Sequence, residues 1–274
     1  MLPHKVVFTD IDGTLTNIIT GQYELSKGLI KQLENHNIPV VFCSAKTFAE
    51  QEKIRQDMGL SEPFIIENGG AIIIPEDYFG PSSLLLVKNY KKFGNYIIIE
   101  LGRPAYVIRR KLNILKRKFK IEFKGVADMS LKELSSITGL RPSDARRMAD
   151  RKYGETILQI NKNDVPTFAR RARWIGLKVI HGGQFLDVTA GNDKGKAVKI
   201  LVRLFNKEYG QKVTSFGVGD SLNDAPMLRN MDVPMLVQMP DKSWSAIKIK
   251  KIVNLHGVGP KGWKNALDMV LEAS

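Results

Sequence analysis

Short apolar runs rich in β-branched residues alternate with amphipathic stretches at both ends of this 274-residue chain, and this alternation limits its fold more than any other feature. Before residue 84, the runs KVVFT, PVVFCS, FIIEN and AIIIP are interspersed with predicted helices near residues 25–35 and 48–58. After residue 190, the runs VTSFGVG and PMLV are interspersed with predicted helices near residues 193–209, just after 223, and 263–271. Such alternation is typical of parallel α/β sheets. Both flanks therefore predict one shared parallel sheet.

The middle third of the chain follows a different pattern. It contains the strands YIIIEL, TILQI and LKVIHGG, a basic helix near residues 105–119, a capping box at Ser130 and Glu133, and helices near residues 143–153 and 165–174. The stretches PEDYFGPSS and TAGND mark its two ends. We predict an α/β fold in which residues 1–83 and 191–274 form a Rossmann-like core and residues 84–190 form an inserted α/β cap.

The net charge of +14 lies entirely in this predicted cap. Residues 84–190 hold 23 basic and 9 acidic residues, whereas the two flanks together hold 19 of each. Such an excess of positive charge makes nucleic acids, membrane surfaces and small anions candidate binding partners. The basic residues show no interleaved aromatic pattern and no recognised nucleic-acid-binding motif, so the sequence favours a small anionic substrate.

Cellular location is predicted from absences in the sequence. Cys43 is the single cysteine, so no internal disulfide can form, and the start MLPHKVVFTD lacks the pattern of a secretion signal. No run approaches the roughly 20 apolar residues that a transmembrane helix needs. We therefore expect a cytoplasmic protein that does not enter a membrane. The sequence carries no signal for an oligomeric state.

The stretch FTDIDGT places Asp10 and Asp12 directly after an apolar strand, where open α/β sheets bind their ligands. Asp10 can attack phosphorus with one carboxylate oxygen and bind Mg²⁺ with the other, while Asp12 can protonate the leaving oxygen. Gly13 and Thr14 provide a tight turn with hydroxyl and amide donors for a phosphate. A bare DxD pattern is more often a capping turn, but its position after the first strand favours catalysis.

Three further stretches end or begin predicted elements with polar groups. Ser44 follows the strand PVVFC at a turn suited to a phosphate, although a serine there is also a common helix cap. The stretch NDKGK offers Lys194 or Lys196 to the phosphate and to Asp10. The stretch GDSLND contains two carboxylates, Asp220 and Asp224. Together with Asp10 and the Asp12 carbonyl, they can complete the ligand shell of a Mg²⁺ ion.

These four stretches, in this order, resemble the four motifs of the haloacid dehalogenase superfamily over essentially the full chain. The matching letters are DIDGT, the Ser of FCSAKT, the Lys of NDKG, and GDSLND. The resemblance implies a Mg²⁺-dependent phosphatase with these roles: Asp10 nucleophile, Asp12 general acid and base, Ser44 phosphate ligand, Lys194 charge-stabilising lysine, Asp220 metal ligand and Asp224 supporting acid.

The insert lies between the second and third motifs, as in the subgroup with a large α/β cap. That subgroup includes Cof-like sugar phosphatases, sucrose-phosphate phosphatases and phosphomannomutases. Longer stretches such as PFIIENGGAIIIP, MSLKELSSITGL and HGGQFLDVTAGNDKGKAV are similar to the mannosyl-3-phosphoglycerate phosphatase family. This resemblance implies a phosphorylated sugar-glycerate as the substrate. Another sugar phosphate, or a mutase that returns the phosphate to a sugar, is the alternative.

A larger set of residues is predicted to contact the rest of the substrate. The members are polar or basic residues of the insert, together with residues that follow the second and third strands. They are Lys46, Glu67, Asn68, Gly69, Arg141, Arg170 and His181. His181 has a structural alternative as a partly buried histidine at a strand end.

Overall fold

A computed structural model describes residues 4–17, 20–182 and 184–273 of the chain. The strands are β1 (Lys5–Thr9), β2 (Val40–Phe42), β3 (Phe64–Ile66), β4 (Ala71–Pro75), β5 (Lys91–Phe93), β6 (Tyr96–Glu100), β7 (Phe123–Gly125), β8 (Gly154–Ile160), β9 (Lys178–Gly182), β10 (Phe185–Thr189), β11 (Thr214–Gly219), β12 (Val233–Gln238) and β13 (Val253–Val258). The α-helices are α1 (Glu24–Asn35), α2 (Phe48–Met58), α3 (Pro81–Leu84), α4 (Ala105–Phe119), α5 (Leu131–Thr138), α6 (Pro142–Ala149), α7 (Val165–Trp174), α8 (Lys194–Glu208), α9 (Ala225–Leu228) and α10 (Pro260–Glu272).

The largest sheet is parallel and has five strands in the order β13-β12-β11-β1-β2. Alternate side chains of β1 point to opposite faces: Val7 packs in the cluster of α1 and α10, and Val6 and Phe8 pack in the cluster of α8 and α9. Helices therefore cover both faces of the sheet. The predicted α/β fold, with one Rossmann-like sheet built from both ends of the chain, is confirmed.

A second sheet is antiparallel and has the order β3-β4-β6-β5. The sequence prediction assigned the YIIIEL strand to the insert, which it began at residue 84. In the structure this strand, β6, pairs with β4 over its whole length, from Ala71 opposite Glu100 to Pro75 opposite Tyr96. The hairpin of β5 and β6, residues 91–100, is thus joined through β6 to β4, a strand that precedes the predicted boundary.

The third sheet is antiparallel and lies wholly within the insert, in the order β7-β8-β10-β9. One of its faces is apolar, because Ile157, Leu186 and Val188 pack there against α4 and α7. The next residues along the strands point the other way. On that opposite face, the Asp187 carboxylate accepts a hydrogen bond from Asn68 of the core at 3.0 Å. The polar face of the insert therefore faces the core.

Most predicted helices begin and end within a few residues of their observed bounds, and the capping box of Ser130 and Glu133 is confirmed at the start of α5. The strands β5, β7, β10 and β13 were not predicted. They are short or carry polar residues, as in FLDVT, so their alternation is weak. No helix in the described ranges has the length and apolar character that spanning a membrane requires.

Candidate active site

The register of the parallel sheet brings three chain segments together at one edge. In β1, Thr9 is paired with Phe42 on one side and with Val218 on the other. Asp10 directly follows β1, and Asp220 directly follows β11. Ser44 is the second residue after the end of β2. All lie beyond the carboxyl ends of parallel strands, the usual place for a ligand in such sheets.

Lys194 lies at the centre of this edge. Its Nζ is 2.8 Å from Oδ1 of Asp10 and 2.8 Å from Oδ1 of Asp224, and its side chain is only 1% exposed. Lys194 is the first residue of α8, where the helix dipole disfavours a cation, so the two carboxylates supply the compensating charge. Lys196, the alternative, is exposed. The geometry therefore selects Lys194 as the lysine that reaches Asp10.

Carboxylates outnumber ammonium groups in this cluster. Oxygens of Asp10, Asp220 and Asp224 all lie within 4.8 Å of one another. The Oδ2 atom of Asp224 accepts from the amides of Asp220 and Ser221 at 3.1 and 3.2 Å, while its Oδ1 accepts from Lys194. Both oxygens of Asp224 are thus engaged by protein donors. Asp10 and Asp220 present the oxygens best placed to take another ligand.

The buried position of these carboxylates disfavours their charged forms. Burial raises the pKa of Asp10 to about 7, and the opposing attraction of Lys194 is too small to cancel it. Burial, reinforced by Asp224 and Asp10, raises the pKa of Asp220 to about 8. Although burial lowers the pKa of Lys194, Asp10 and Asp224 together raise it well above its ordinary value. One ammonium therefore leaves the negative charge of the cluster undercompensated.

A hard divalent cation fits this arrangement. Carboxylate oxygens are the ligands that Mg²⁺ prefers, and a positive charge would let Asp10 and Asp220 ionise at neutral pH. The residues that could hold it are Asp10 and Asp220, with Asp224 fixing the loop and the lysine around them. The predicted participation of the Asp12 carbonyl stays a prediction.

Asp12 lies outside the buried cluster. Its side chain is 51% exposed and its Oδ2 is 2.9 Å from Nζ of Lys46, which follows the second strand. Lys46 thus contacts the predicted acid and base, whereas the sequence suggested a substrate contact. Gly13 adopts a left-handed φ of 78°, which makes the tight turn after Asp12. Thr14 donates to Oδ1 of Asp220 at 3.3 Å.

Ser44 is buried beside Asp10 at the end of the neighbouring strand. Its amide donates to the carbonyl of Ile65, and its Oγ accepts from the amide of Lys46 at 3.3 Å. The predicted phosphate contact of Ser44 stays a prediction. The helix cap of α2 is not Ser44 but Thr47, which forms a capping box with Glu50.

The ENGG turn joins the core to the insert. Glu67 is buried, and its carboxylate accepts from the amides of Lys152 and Tyr153 at 2.7 and 2.9 Å. Its predicted sugar contact is therefore no longer expected, because both oxygens are engaged by the backbone of the insert. Asn68 donates to Asp187 and accepts from Nδ2 of Asn223 at 2.9 Å. Asn68 thus connects the GDSLND loop to the polar face of the insert.

Gly69 supports the site through its backbone. It has a φ of 84°, and a Cβ placed there would lie 2.3 Å from the carbonyl carbon of Asp193, directly before Lys194. We expect Gly69→Ala to lower the free energy of unfolding by about 2–4 kcal/mol, because it adds a left-handed strain and a backbone clash. It should also lower kcat by displacing Lys194. Chemical denaturation and steady-state kinetics measure the two effects.

Gly94→Ala is the matched control for this substitution. Gly94 has a φ of 54°, but apart from its two chain neighbours no described residue has an atom within 4 Å of the position that a Cβ would take there. We expect it to cost only about 1 kcal/mol of stability, the left-handed strain alone, and to leave kcat unchanged. Equal stability losses in the two variants would contradict the account of the Gly69 contact.

The remaining predicted contacts lie apart from the aspartates. Arg141 is 79% exposed and pairs with Asp144 at the start of α6. Arg170 is exposed on α7, the helix on the apolar face of the insert sheet, whereas the core lies on the other face. Because of these positions, neither residue is now expected to touch the substrate. Sequence spacing alone does not reveal which face of the sheet a helix covers. His181 is exposed on β9, which lies near the turn Leu222–Asp224, and its role stays a prediction.

The sequence prediction missed two charged residues of the insert that reach the core. Arg151 donates from one guanidinium nitrogen to the carbonyl of Ala45 at 3.3 Å. Asp187 accepts from Thr156 at 2.6 Å as well as from Asn68. A carboxylate in the middle of the apolar run FLDVT was the available signal, because an acid in a buried strand needs polar partners. Arg151 carried no such signal.

Comparisons with known proteins agree with this geometry. The haloacid dehalogenase-like hydrolase family model matches residues 7–249. A glucosyl-3-phosphoglycerate/mannosyl-3-phosphoglycerate phosphatase of Methanococcoides burtonii is 36% identical over 264 residues, which cover 96% of this chain and 95% of that protein. A mannosyl-3-phosphoglycerate phosphatase of Pyrococcus horikoshii is 36% identical over 255 residues, with 93% and 96% covered.

Solved structures share the fold at low sequence identity. A Thermoplasma acidophilum protein superposes with a TM-score of 0.69 at 16% identity, over 98% of this chain and 99% of that one. A haloacid dehalogenase-like hydrolase from Bacteroides thetaiotaomicron superposes with a TM-score of 0.65 at 15% identity, over 97% and 99%. The family model matches most of the chain, and the two phosphatases are each more than 30% identical to it. This chain therefore belongs to the haloacid dehalogenase-like hydrolases.

Proposed function

We propose that this protein is a Mg²⁺-dependent phosphatase that hydrolyses a phosphorylated sugar-glycerate, such as mannosyl-3-phosphoglycerate, to the sugar-glycerate and inorganic phosphate. The observation that carries the proposal is the position of Asp10. It directly follows the first strand, its Oδ1 is 2.8 Å from Nζ of the buried Lys194, and a carboxylate oxygen of Asp220 lies within 4.8 Å of one of its own. The substrate class is supported by the names of the relatives that match nearly the whole chain. A cytoplasmic location stays a prediction.

In the proposed reaction, a carboxylate oxygen of Asp10 attacks the phosphorus atom and the bond from phosphorus to the glycerate oxygen breaks. Lys194 fixes the orientation of Asp10 and offsets negative charge as the phosphoryl group approaches. Ser44 and the backbone around Gly13 and Thr14 supply donors to the phosphoryl oxygens. A bound Mg²⁺ would offset the repulsion between the carboxylates and the phosphate.

Asp12 is proposed to move the proton in both halves of the reaction. It first protonates the departing glycerate oxygen, then takes a proton from the water that attacks the aspartyl-phosphate at phosphorus. In the structure its carboxylate is held by Lys46, at 2.9 Å. This partner restricts the exposed side chain, so Lys46 is proposed to position the acid and base. Asp12 is near enough in sequence to Asp10 to serve the same phosphoryl group.

The insert is proposed to act as the cap that selects the substrate. Because β6 pairs with β4 and β5 pairs with β6, we place the cap at residues 103–190, later than the sequence suggested. Asp187 and Arg151 reach the core from its polar side. The strongly basic helices α4 and α7 lie on the other side of the cap sheet, so their charge acts on a substrate only over a distance.

A phosphate-release panel tests the proposal. We expect Mg²⁺-dependent hydrolysis of mannosyl-3-phosphoglycerate and glucosyl-3-phosphoglycerate at a kcat/KM at least about tenfold above that for sucrose phosphate or mannose phosphates. A chelator should abolish activity, and added Mg²⁺ should restore it. Product analysis separates hydrolysis from a mutase reaction, because only hydrolysis releases inorganic phosphate. A preference for a plain hexose phosphate would contradict the proposed substrate.

A further inference from the structure

Arg151 is a buried cation at the junction of cap and core. It follows α6, its side chain is 7% exposed, and one terminal nitrogen donates to the carbonyl of Ala45 at 3.3 Å. Ala45 lies between Ser44, the proposed phosphate ligand, and Lys46, which holds Asp12. The guanidinium therefore lies beside the turn at which the phosphoryl group is proposed to bind.

The acidic neighbours of Arg151 do not satisfy its hydrogen-bonding capacity. The Asp187 oxygen closest to it is 3.9 Å away, beyond hydrogen-bond distance, and Asp187 accepts from Thr156 and Asn68 instead. Glu67 accepts from two backbone amides. Burial lowers the pKa of Arg151, but the attraction of nearby carboxylates, Asp187 and Glu67 foremost, outweighs it and raises that pKa above its ordinary value. They do not occupy its donors.

The Nε atom of Arg151 is buried and has no hydrogen-bond partner among the described residues. An unsatisfied buried donor is unfavourable, more so when it carries charge, so such a group in a native protein usually has an additional partner. A carboxylate matches a guanidinium especially well, because its two oxygens can accept two parallel N–H bonds. A ligand carboxylate would thus satisfy donors that the protein leaves unused.

We propose that Arg151 binds the carboxylate of the substrate, the second anionic group of a phosphorylated sugar-glycerate, while the phosphate is held at Asp10 and Ser44. The proposal rests on the proposed function and adds the residue that recognises the carboxylate of the glycerate. It assigns this task to the buried Arg151 in place of Arg141 and Arg170, which are exposed away from the aspartates. Phosphate esters that lack a carboxylate gain nothing from this contact.

The test compares two substrates that differ only at the carboxylate. One is the sugar-phosphoglycerate, and the other is the matching glycosyl-glycerol phosphate, in which a hydroxymethyl group replaces the carboxylate. For Arg151→Gln we expect kcat/KM for the first to fall by about 10- to 100-fold, mainly through KM. For the second we expect a change below about threefold. Arg151→Lys should retain part of the discrimination, because it keeps the charge but loses the planar fork.

The ratio of the two kcat/KM values is the decisive readout, because it does not depend on the fraction of correctly folded enzyme. Equal losses for both substrates in Arg151→Gln and Arg151→Lys would overturn the proposal and show a merely structural role. Arg146→Gln is the matched control, since Arg146 is an exposed arginine of the adjacent α6, and it should leave the ratio unchanged.

Failure of the proposed function would be recognised separately. If the wild-type enzyme hydrolyses p-nitrophenyl phosphate but neither sugar-phosphoglycerate, the assigned substrate is wrong. The role of Arg151 is then read from 3-phosphoglycerate against glycerol 3-phosphate, which again differ only at the carboxylate. A preference for 3-phosphoglycerate that Arg151→Gln removes supports the carboxylate contact. An unchanged preference, or none in the wild type, overturns it.

Discussion

Replacing Asp10 with Asn is expected to lower kcat by about 10⁴- to 10⁶-fold, because the amide cannot form the aspartyl-phosphate and only binding and electrostatic effects of the site remain. The fold should persist, since an amide has the same shape as the carboxylate. Without metal, stability should not fall, because burial already raises the pKa of Asp10 to about 7 and a neutral group suits this environment better. Phosphate release under saturating Mg²⁺ and thermal unfolding in chelator are the measurements.

Asp10→Ala is a second variant that removes any activity due to slow deamidation of Asn, and Asp77→Asn is the control. Asp77 is exposed in the turn after β4, so its substitution should change neither kcat nor stability measurably. Activity of Asp10→Ala within about tenfold of the wild type, in a pure preparation, would show that another group is the nucleophile.

Replacing Lys194 with Met should affect both catalysis and stability. It removes the ammonium that lies 2.8 Å from both Asp10 and Asp224. We expect kcat to fall by about 10²- to 10³-fold, because Lys194 orients the nucleophile and offsets transition-state charge. In chelator, the free energy of unfolding should fall by about 3–5 kcal/mol, since the buried Asp10 and Asp224 lose the cation with which both form ion pairs.

Lys196→Met is the control that separates the two lysines of the NDKGK stretch. Lys196 is exposed two residues further along α8, and its backbone amide, which donates to Asp193, is retained in the variant. We therefore expect wild-type kcat and stability within about 0.5 kcal/mol. If Lys196→Met lost activity while Lys194→Met kept it, the position of Lys194 in the catalytic account would be wrong.

Local signals made much of the fold predictable. The helix α2 begins at a Thr47 and Glu50 capping box and ends at a left-handed Gly59, so its bounds of 48–58 follow from adjacent residues alone. The carboxylate cluster was predictable for a related reason. Parallel strands end at one edge, so Asp10 and Asp220, each directly after an apolar strand, were expected on the same side of the sheet. They meet because β1 and β11 are paired neighbours.

Long-range pairing explains what the sequence did not reveal. YIIIEL reads as a strand, but its pairing with β4 decides which unit it joins, and no local signal encodes that choice. The basic residues of the cap were counted correctly, yet the count does not tell which face of the sheet carries α7 and its Arg170. Arg151 lies in no recognisable motif, and its place beside Ala45 depends on how the cap packs on the core.

Trapping the phosphoryl group on the enzyme tests directly whether Asp10 is the nucleophile. With p-nitrophenyl phosphate, whose leaving group departs without protonation, Asp12→Asn should still be phosphorylated, while hydrolysis of the intermediate should slow because no base activates the water. Phosphorylated enzyme should therefore accumulate during a rapid-quench reaction. Borohydride reduction converts an acyl phosphate of aspartate to homoserine, which peptide mass spectrometry locates. We expect homoserine at position 10. Homoserine at the position of another aspartate, or phosphate release without any trapped enzyme, would contradict the assignment of Asp10 as the nucleophile.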